Sequence, residues 1–358
     1  MNRGNILLRV DGSAHEGLGR VARCLALANA LQRRRYQMTF ISQIDNHSWP
    51  DRVRRFRHAV VRTQTGAGSQ DDREQLMREI NSRNPVVVIT DSPDIDESYL
   101  AEVSSRVPLV INLDDAAKRS FSSDVVINPL MGHTVDDYRL APGTQLLSGQ
   151  RYAMIRSEFR RARSVRGTEP GGPTRALVAL GAGEVVQDTT RVAKALLKTK
   201  QIERVDAVIG TGQEGRDELN ELLEQFPDRL HIAPDVRDLG MRMSKSHLLV
   251  AGGGNTALEA ACVGIPMILV SRHGYHAANA DALEDVGCAY HMGGHDKFEP
   301  GRIAETAIMI LEDKFERKTM SRSGRMLIDG RGPDRLVTVT EILLRRSRQY
   351  KQVLAAAA

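Results

Sequence analysis

Positions 9–23 read Arg-Val-Asp-Gly-Ser-Ala-His-Glu-Gly-Leu-Gly-Arg-Val-Ala-Arg. An apolar run over 6–10 stops at this Gly-rich turn, and a helical pattern starts at about Leu18. A strand that breaks at glycines and opens into a helix aims backbone N–H groups at whatever lies above it, which is the geometry of an anion or phosphate site.

A second turn of this kind covers 248–260, where Leu-Leu-Val-Ala leads into Gly252-Gly253-Gly254-Asn255-Thr256. Its glycines would let the backbone approach a pyrophosphate, while Asn255 and Thr256 are expected to add side-chain donors as they cap the helix. Glu259 falls one turn into that helix, placed either to accept from ribose hydroxyls or to complement the helix dipole. A third turn, Leu180-Gly181-Ala182-Gly183-Glu184, also follows an apolar run. It lacks the third glycine of the dinucleotide fingerprint, and the acid expected about 20 positions on is ambiguous between Glu203 and Asp206, which argues against a nicotinamide or flavin dehydrogenase.

Other chemistry-bearing residues have bland readings beside the sharp ones. Asp94 and Asp96 could bridge a divalent cation, yet acids opening a short helix ordinarily complement its dipole. Asp114 and Asp115 follow a strand, as loop caps or as cleft-lining groups. His273 and His276 sit in a loop after another strand, where ligand contact is one possibility. No His, Cys and Asp set has metal-ligand spacing, so neither a metal nor a cofactor is expected.

The elements that must position these groups alternate along the chain. Apolar, β-branched runs over 6–10, 38–41, 86–90, 109–113, 124–127, 175–180, 204–209, 230–232, 248–251 and 267–270 predict strands. Helical patterns fall between them at 21–32, 75–81, 187–197, 215–224, 257–262 and 277–286, and two or three helices follow residue 302. This alternation predicts an α/β protein with right-handed crossovers and parallel sheets. At 358 residues there is room for two cores. The Gly/Pro-rich segment 167–173 is the expected linker between domains spanning 1–166 and 174–345. The result is two Rossmann-like domains with a central cleft, the glycine turns lying at the carboxyl ends of the strands where such sheets bind ligands. Three turns on one cleft point to a nucleotide diphosphate.

Composition narrows the class. No apolar run reaches the ~18–20 residues that span a bilayer, and the first apolar stretch is too short for a secretory segment. Three scattered cysteines (Cys24, Cys262, Cys288) form neither a disulfide framework nor a metal cluster, which together predicts a cytoplasmic protein. The formal charge of +5 favours anionic partners, but aromatic residues at 4% are too few for a nucleic-acid stacking platform. Arginine clusters at 33–35, 52–57 and 160–166 read as solvated helix faces, with peripheral contact to an anionic membrane or an acidic substrate as the other reading.

Read together, these residues resemble a family: the GT-B-fold UDP-sugar hydrolase of pseudaminic acid biosynthesis and the related spore-coat polysaccharide proteins. More distantly the chain is similar to the peptidoglycan N-acetylglucosaminyltransferase. The resemblance runs over about 5–295. It rests on Arg9-x-Asp11 before Gly17-Leu18-Gly19-Arg20-Val21-Ala22-Arg23, on strand-end Asp91, on Asp114-Asp115 and on the turn from Gly252 to Glu259 with Asn279 after it. Its most specific part is Gly149-Gln150-Arg151-Tyr152-Ala153-Met154-Ile155-Arg156-Ser157-Glu158-Phe159, a long match with no evident folding reason to recur.

The resemblance implies a UDP-sugar in the cleft. The nucleotide would lie on Gly253, Gly254, Asn255, Thr256 and Glu259, with Gly181 and Asn279 nearby, and the sugar against Gly17 and Gly19. The family's hydrolase activates water with a histidine where this chain has Arg20. A guanidinium stays protonated, so Arg20 can bind or stabilise a departing diphosphate but cannot be a general base. Three readings follow: hydrolysis with Asp11, His15, Glu16 or Asp91 as the base, an inverting glycosyltransferase with a sugar acceptor, or a nucleotide-sugar-binding protein with little turnover.

Overall fold

In the computed structural model the described residues are 3–13, 17–43, 48–167, 169–181, 185–210, 216–234 and 237–357. The N-terminal half runs β1 (Asn5–Val10), α1 (Gly19–Arg33), β2 (Gln37–Ser42), α2 (Ser48–Arg55), β3 (Ala59–Arg62), α3 (Gln70–Arg83), β4 (Val87–Asp91), α4 (Glu97–Arg106) and β5 (Val110–Leu113). It continues through β6 (Ser120–Phe121), β7 (Val125–Asn128), β8 (Arg139–Leu140), β9 (Gln145–Ser148) and α5 (Ser157–Val165). The C-terminal half has β10 (Arg175–Ala179), α6 (Val186–Leu197), β11 (Arg204–Ile209), α7 (Arg216–Gln225), β12 (Leu230–Pro234), α8 (Leu239–Lys245) and β13 (Leu248–Gly252). After these come α9 (Asn255–Val263), β14 (Met267–Ser271), α10 (Gly274–Asp285), β15 (Ala289–Gly294), α11 (Pro300–Glu312), α12 (Lys314–Leu327) and α13 (Gly332–Ala357).

Each half is built on one parallel sheet. The order is β3-β2-β1-β4-β5-β7-β9 in the first and β12-β11-β10-β13-β14-β15 in the second, with β6 and β8 as a small separate pair. The central strands are apolar and buried along nearly their whole length, as a sheet covered by helices on both faces requires. In both halves the chain first winds outward from a central strand and then returns to its other side. The reversal falls between β1 and β4 in one sheet and between β10 and β13 in the other. The crevice beyond the carboxyl ends of the strands at such a reversal is where open α/β sheets receive ligands. The turns after β1, β10 and β13, and Asp91 at the end of β4, all lie at these two points.

The packing changes over between halves at other places than 167–173. Phe159 and Ala162 of α5 are fully buried in the same cluster as Leu249, Ala257 and Leu258 of the C-terminal half. Arg166, also buried, donates to the carbonyls of Gly264, Met243 and Ser246 at 3.1, 2.7 and 2.8 Å. Conversely, Leu336, Val337 and Leu344 of α13 join the core around β1 and α1. The apolar faces of α5 and α13 thus carry the last helix of each half across to the other, and the Gly/Pro segment lies after the first crossing.

Candidate functional site: two helix N-termini at the sheet reversals

The turns after β1 and β13 bring the starts of α1 and α9 together. A Cβ built on Gly19 would meet the Asn255 amide nitrogen at 3.8 Å. Helices α1, α9 and α10 begin at Leu18, Gly254 and His273 without a side-chain cap and without an acidic residue in the first turn. The positive ends of their dipoles are therefore not neutralised by their own sequence. Asn255 and Thr256 were expected to cap α9. They occupy its first two helical positions instead, and Gly254 is the cap residue.

Beneath α1 the acidic side chains are held by arginines. Arg9, fully buried, donates to both Asp11 oxygens, and its Nε reaches Asp72 at 2.5 Å. Asp11 also accepts from the backbone N–H of Gln43 at 2.7 Å and Ala67 at 3.0 Å. Four donors on two oxygens make Asp11 a clamp between loops. Arg23 sits between two carboxylates. It holds Asp91 through Nε and Nη2 at 2.8 and 2.7 Å, and Asp115 through Nη1 at 2.6 and 2.8 Å. Burial opposes charge on Arg23, but Asp115 and Asp91 outweigh it and raise its pKa.

The two carboxylates differ in access. The Asp91 side chain is 2% exposed and the Asp115 side chain 16%. Burial works against the Asp115 charge, yet Arg23 first, then His276 and Arg20, hold its carboxyl below the usual range. Asp115 is therefore a carboxylate with an open edge, in the electrostatic field of half-buried Arg20.

On the other half, the triple glycine has an internal reason. A Cβ on Gly252 would lie 2.8 Å from the Leu180 carbonyl, one on Gly253 2.4 Å from the His276 carbonyl, and one on Gly254 2.8 Å from His276 Nε2. His276 is thus seated on the turn that starts α9, with the Tyr275 ring edge-on to it at 4.6 Å and the His273 ring at 5.2 Å. Burial lowers the His276 pKa to about 4, so its imidazole is neutral near pH 7. Asn279, fully buried, donates to the Gly253 carbonyl at 2.7 Å and accepts from the Met131 N–H at 2.9 Å. It ties the glycine turn to the loop after β7.

Glu259 accepts twice from Arg156, at 2.8 and 3.0 Å, and burial raises its pKa against the pull of that guanidinium. It neither caps nor stands free. Arg156 also pairs with Glu158 at 2.9 Å and stacks over Phe159 at 4.6 Å. The long motif at 149–159 therefore has a folding reason: it delivers the arginine that holds Glu259.

Of the residues expected at the site, Gly17, Gly19, Arg20 and Asp91 lie at the first reversal, and Gly181, Gly253, Gly254, Asn255 and Thr256 at the second. Asp11, Glu259 and Asn279 are bound into the protein's own framework. His15 and Glu16, and the turn beyond Gly181 at 182–184, lie outside the described residues. Asp96 caps α4 by accepting from the Tyr99 N–H at 2.7 Å, and Asp114 accepts from Ala116 and Ala117 at 2.9 and 2.6 Å. Among the described residues, no group of three or more His, Cys, Asp or Glu could hold a metal ion, and no helix is long and apolar enough to cross a membrane. Arg23 and Arg156 stand in the sequence only as members of the motifs at 17–23 and 149–159, with no role of their own, and strand-end position is the one signal for Asp115 and His276.

No protein-family model matches the chain. It is 23% identical over 337 residues to the spore coat polysaccharide biosynthesis protein SpsG of Bacillus subtilis, covering 93% of this chain and 96% of that one. It is also 23% identical over 273 residues to the uncharacterized protein MJ1062 of Methanocaldococcus jannaschii, covering 74% of this chain but only 55% of that protein's length. Among solved structures, Acinetobacter baumannii MurG superposes with a TM-score of 0.62 at 16% identity, over 94% of this chain and 99% of that one. Staphylococcus aureus MnaA, in a co-structure with UDP, superposes with a TM-score of 0.66 at 14% identity, over 94% and 95%. The chain is SpsG-like and has the GT-B fold.

Proposed function

We propose that this SpsG-like chain acts on a UDP-sugar in surface-polysaccharide assembly and cleaves its anomeric C–O bond. The observation that carries this reading is the approach of Gly19 to Asn255, which sets two uncapped helix N-termini opposite one another at the sheet reversals. A diphosphate between them would be met by both dipoles and by Arg20, and those contacts strengthen as negative charge develops on the leaving group. The polysaccharide role assigned to SpsG and the UDP bound to MnaA support the same ligand class.

Arg20 cannot accept a proton, so a different group must activate the attacking hydroxyl. Among the described residues Asp115 is the one we assign. Asp91 is closed off and Asp11 is saturated, while Asp115 keeps an exposed edge beside Arg20 and His276. A carboxylate base opposite the leaving group is also how inverting glycosidases activate water.

The test is UDP release from a panel of UDP-sugars, with and without glycan acceptors. Release without an acceptor supports hydrolysis, and release only with one moves the assignment to transfer. Protein that shows neither binding of UDP nor UDP release overturns the reading.

A further inference from the structure

At the edge of the N-terminal sheet opposite the glycine turns, the amino ends of β1 and β2 rim a hollow of about 650 Å³. Arg35, Arg57 and Arg83 line it together with Asn5, Gln32 and Gln37. Arg35 and Arg57 come from the two arginine-rich segments that read in sequence as solvated helix faces, and the fold brings them to one cavity.

Two further observations bear on these arginines. The backbone at Arg35 has φ 71° and at Arg57 φ 61°, both in the left-handed region. Loops entering a strand from a helix use that region often, but glycine and asparagine adopt it most easily; Asn84, which enters β4 from α3, does so with φ 45°. Folding alone would favour those types at 35 and 57. Second, both side chains are exposed and make no ion pair among the described residues, so their guanidiniums can turn toward an anion in the hollow, whereas Arg83 holds Glu79 at 2.5 Å. Two exposed guanidiniums, held by left-handed backbone at one polar hollow, are suited to take an anion between them.

We propose that this hollow is a second anion site, separate from the nucleotide-sugar cleft, that takes a phosphate- or diphosphate-bearing group between Arg35 and Arg57. Its volume lies within the range of small-molecule pockets, so it has room for more than a bare phosphate. The same chemistry is offered by a free phosphorylated metabolite and by the headgroup of an anionic lipid. The site does not depend on the function proposed above.

The experiment uses R35N/R57N, which removes both guanidiniums while installing a residue suited to the left-handed backbone. Pyrophosphate binding is followed by calorimetry with excess UDP present to occupy the cleft, and vesicle binding by co-sedimentation with phosphatidylglycerol against phosphatidylcholine. The expected result is an affinity at least tenfold lower than wild type for pyrophosphate or for phosphatidylglycerol vesicles, with a Tm equal to or above wild type. Loss in the pyrophosphate arm identifies a soluble ligand; loss in the vesicle arm alone identifies a headgroup. R35K/R57K keeps the charge and should recover part of the affinity. Equal binding by wild type and R35N/R57N in both arms overturns the proposal, as does a fall in Tm with binding unchanged, which would make the arginines structural. Failure of UDP to bind would count against the cleft assignment and leave this result standing.

Discussion

Arg156 and Glu259 grip each other through two parallel hydrogen bonds of 2.8 and 3.0 Å, joining the segment that leads into α5 to the first turns of α9. The pair is desolvated, since Glu259 is only 6% exposed. Removing one partner strands the other charge away from water, a loss that typically costs about 3–5 kcal/mol. We therefore expect Arg156→Ala to destabilise by about that much in urea unfolding. Arg156→Ala/Glu259→Ala should lose less than the sum of the two single changes. Additive losses would show that the two side chains do not interact.

The glycines of the two turns separate folding from ligand contact. Gly253→Ala places a Cβ 2.4 Å from the His276 carbonyl, so backbone must shift, and overpacking of this kind typically costs about 1–3 kcal/mol. Gly19→Ala meets only Asn255 Nδ2 at 3.8 Å, an ordinary contact, and places a better helix former at the start of α1. Its Tm should stay level or rise slightly. If a diphosphate occupies the gap between α1 and α9, the added methyl weakens UDP about tenfold, read by calorimetry. Unchanged UDP affinity in Gly19→Ala would place the diphosphate elsewhere.

Arg20 and Asp115 are separable by kinetics. Arg20→His puts a group able to take a proton at the start of α1 and should raise UDP release in the absence of acceptor. Asp115→Asn keeps the shape and leaves Arg23 paired with Asp91. Loss of a general base typically costs about 10²–10⁴-fold, so kcat should fall by that order with UDP affinity retained. Equal kcat in Asp115→Asn and wild type would remove Asp115 from the chemistry and return attention to the loop before α1.

How much of this was legible in the sequence follows from where each residue sits. Both doubly wound sheets were readable because their central strands are continuous apolar runs such as Ile6–Leu7–Leu8 and Leu248–Leu249–Val250. The edge strands β3, β9 and β15 are not legible because they are only partly buried, and their apolar stretches are short or, as in Ala59–Val60–Val61, closed at once by an arginine. The glycine turns were visible as motifs, but Gly253 and Gly254 first read as room for a ligand, and the crowding by His276 needs coordinates to see. Arg23 reaches Asp91 and Asp115 across 68 and 92 residues of chain, and Arg156 reaches Glu259 across 103. No local pattern encodes pairings that long. The unsuspected importance of these arginines is a matter of tertiary contact.

Acid sensitivity gives a check on the core at the amino-terminal edge of the first sheet. His58 is 3% exposed, its Nε2 lies 2.9 Å from Asn29 Oδ1, and its Nδ1 has no partner. Burial lowers its pKa to about 4, whereas an unfolded histidine titrates near 6.5. As pH falls from about 6.5 to 4 the unfolded chain takes up a proton that the folded chain refuses, so stability is full above this window and drains through it. The whole shift corresponds to about 3 kcal/mol. His276, with its pKa also lowered to about 4, drains stability in the same direction. His58→Leu should be less stable than wild type at pH 7.5, where the bond to Asn29 is lost, and should close that gap steadily by pH 4.5. Urea unfolding at pH 7.5, 5.5 and 4.5 reads this directly, and a gap that stays constant with pH would mean that His58 titrates in the folded protein as it does in the unfolded chain.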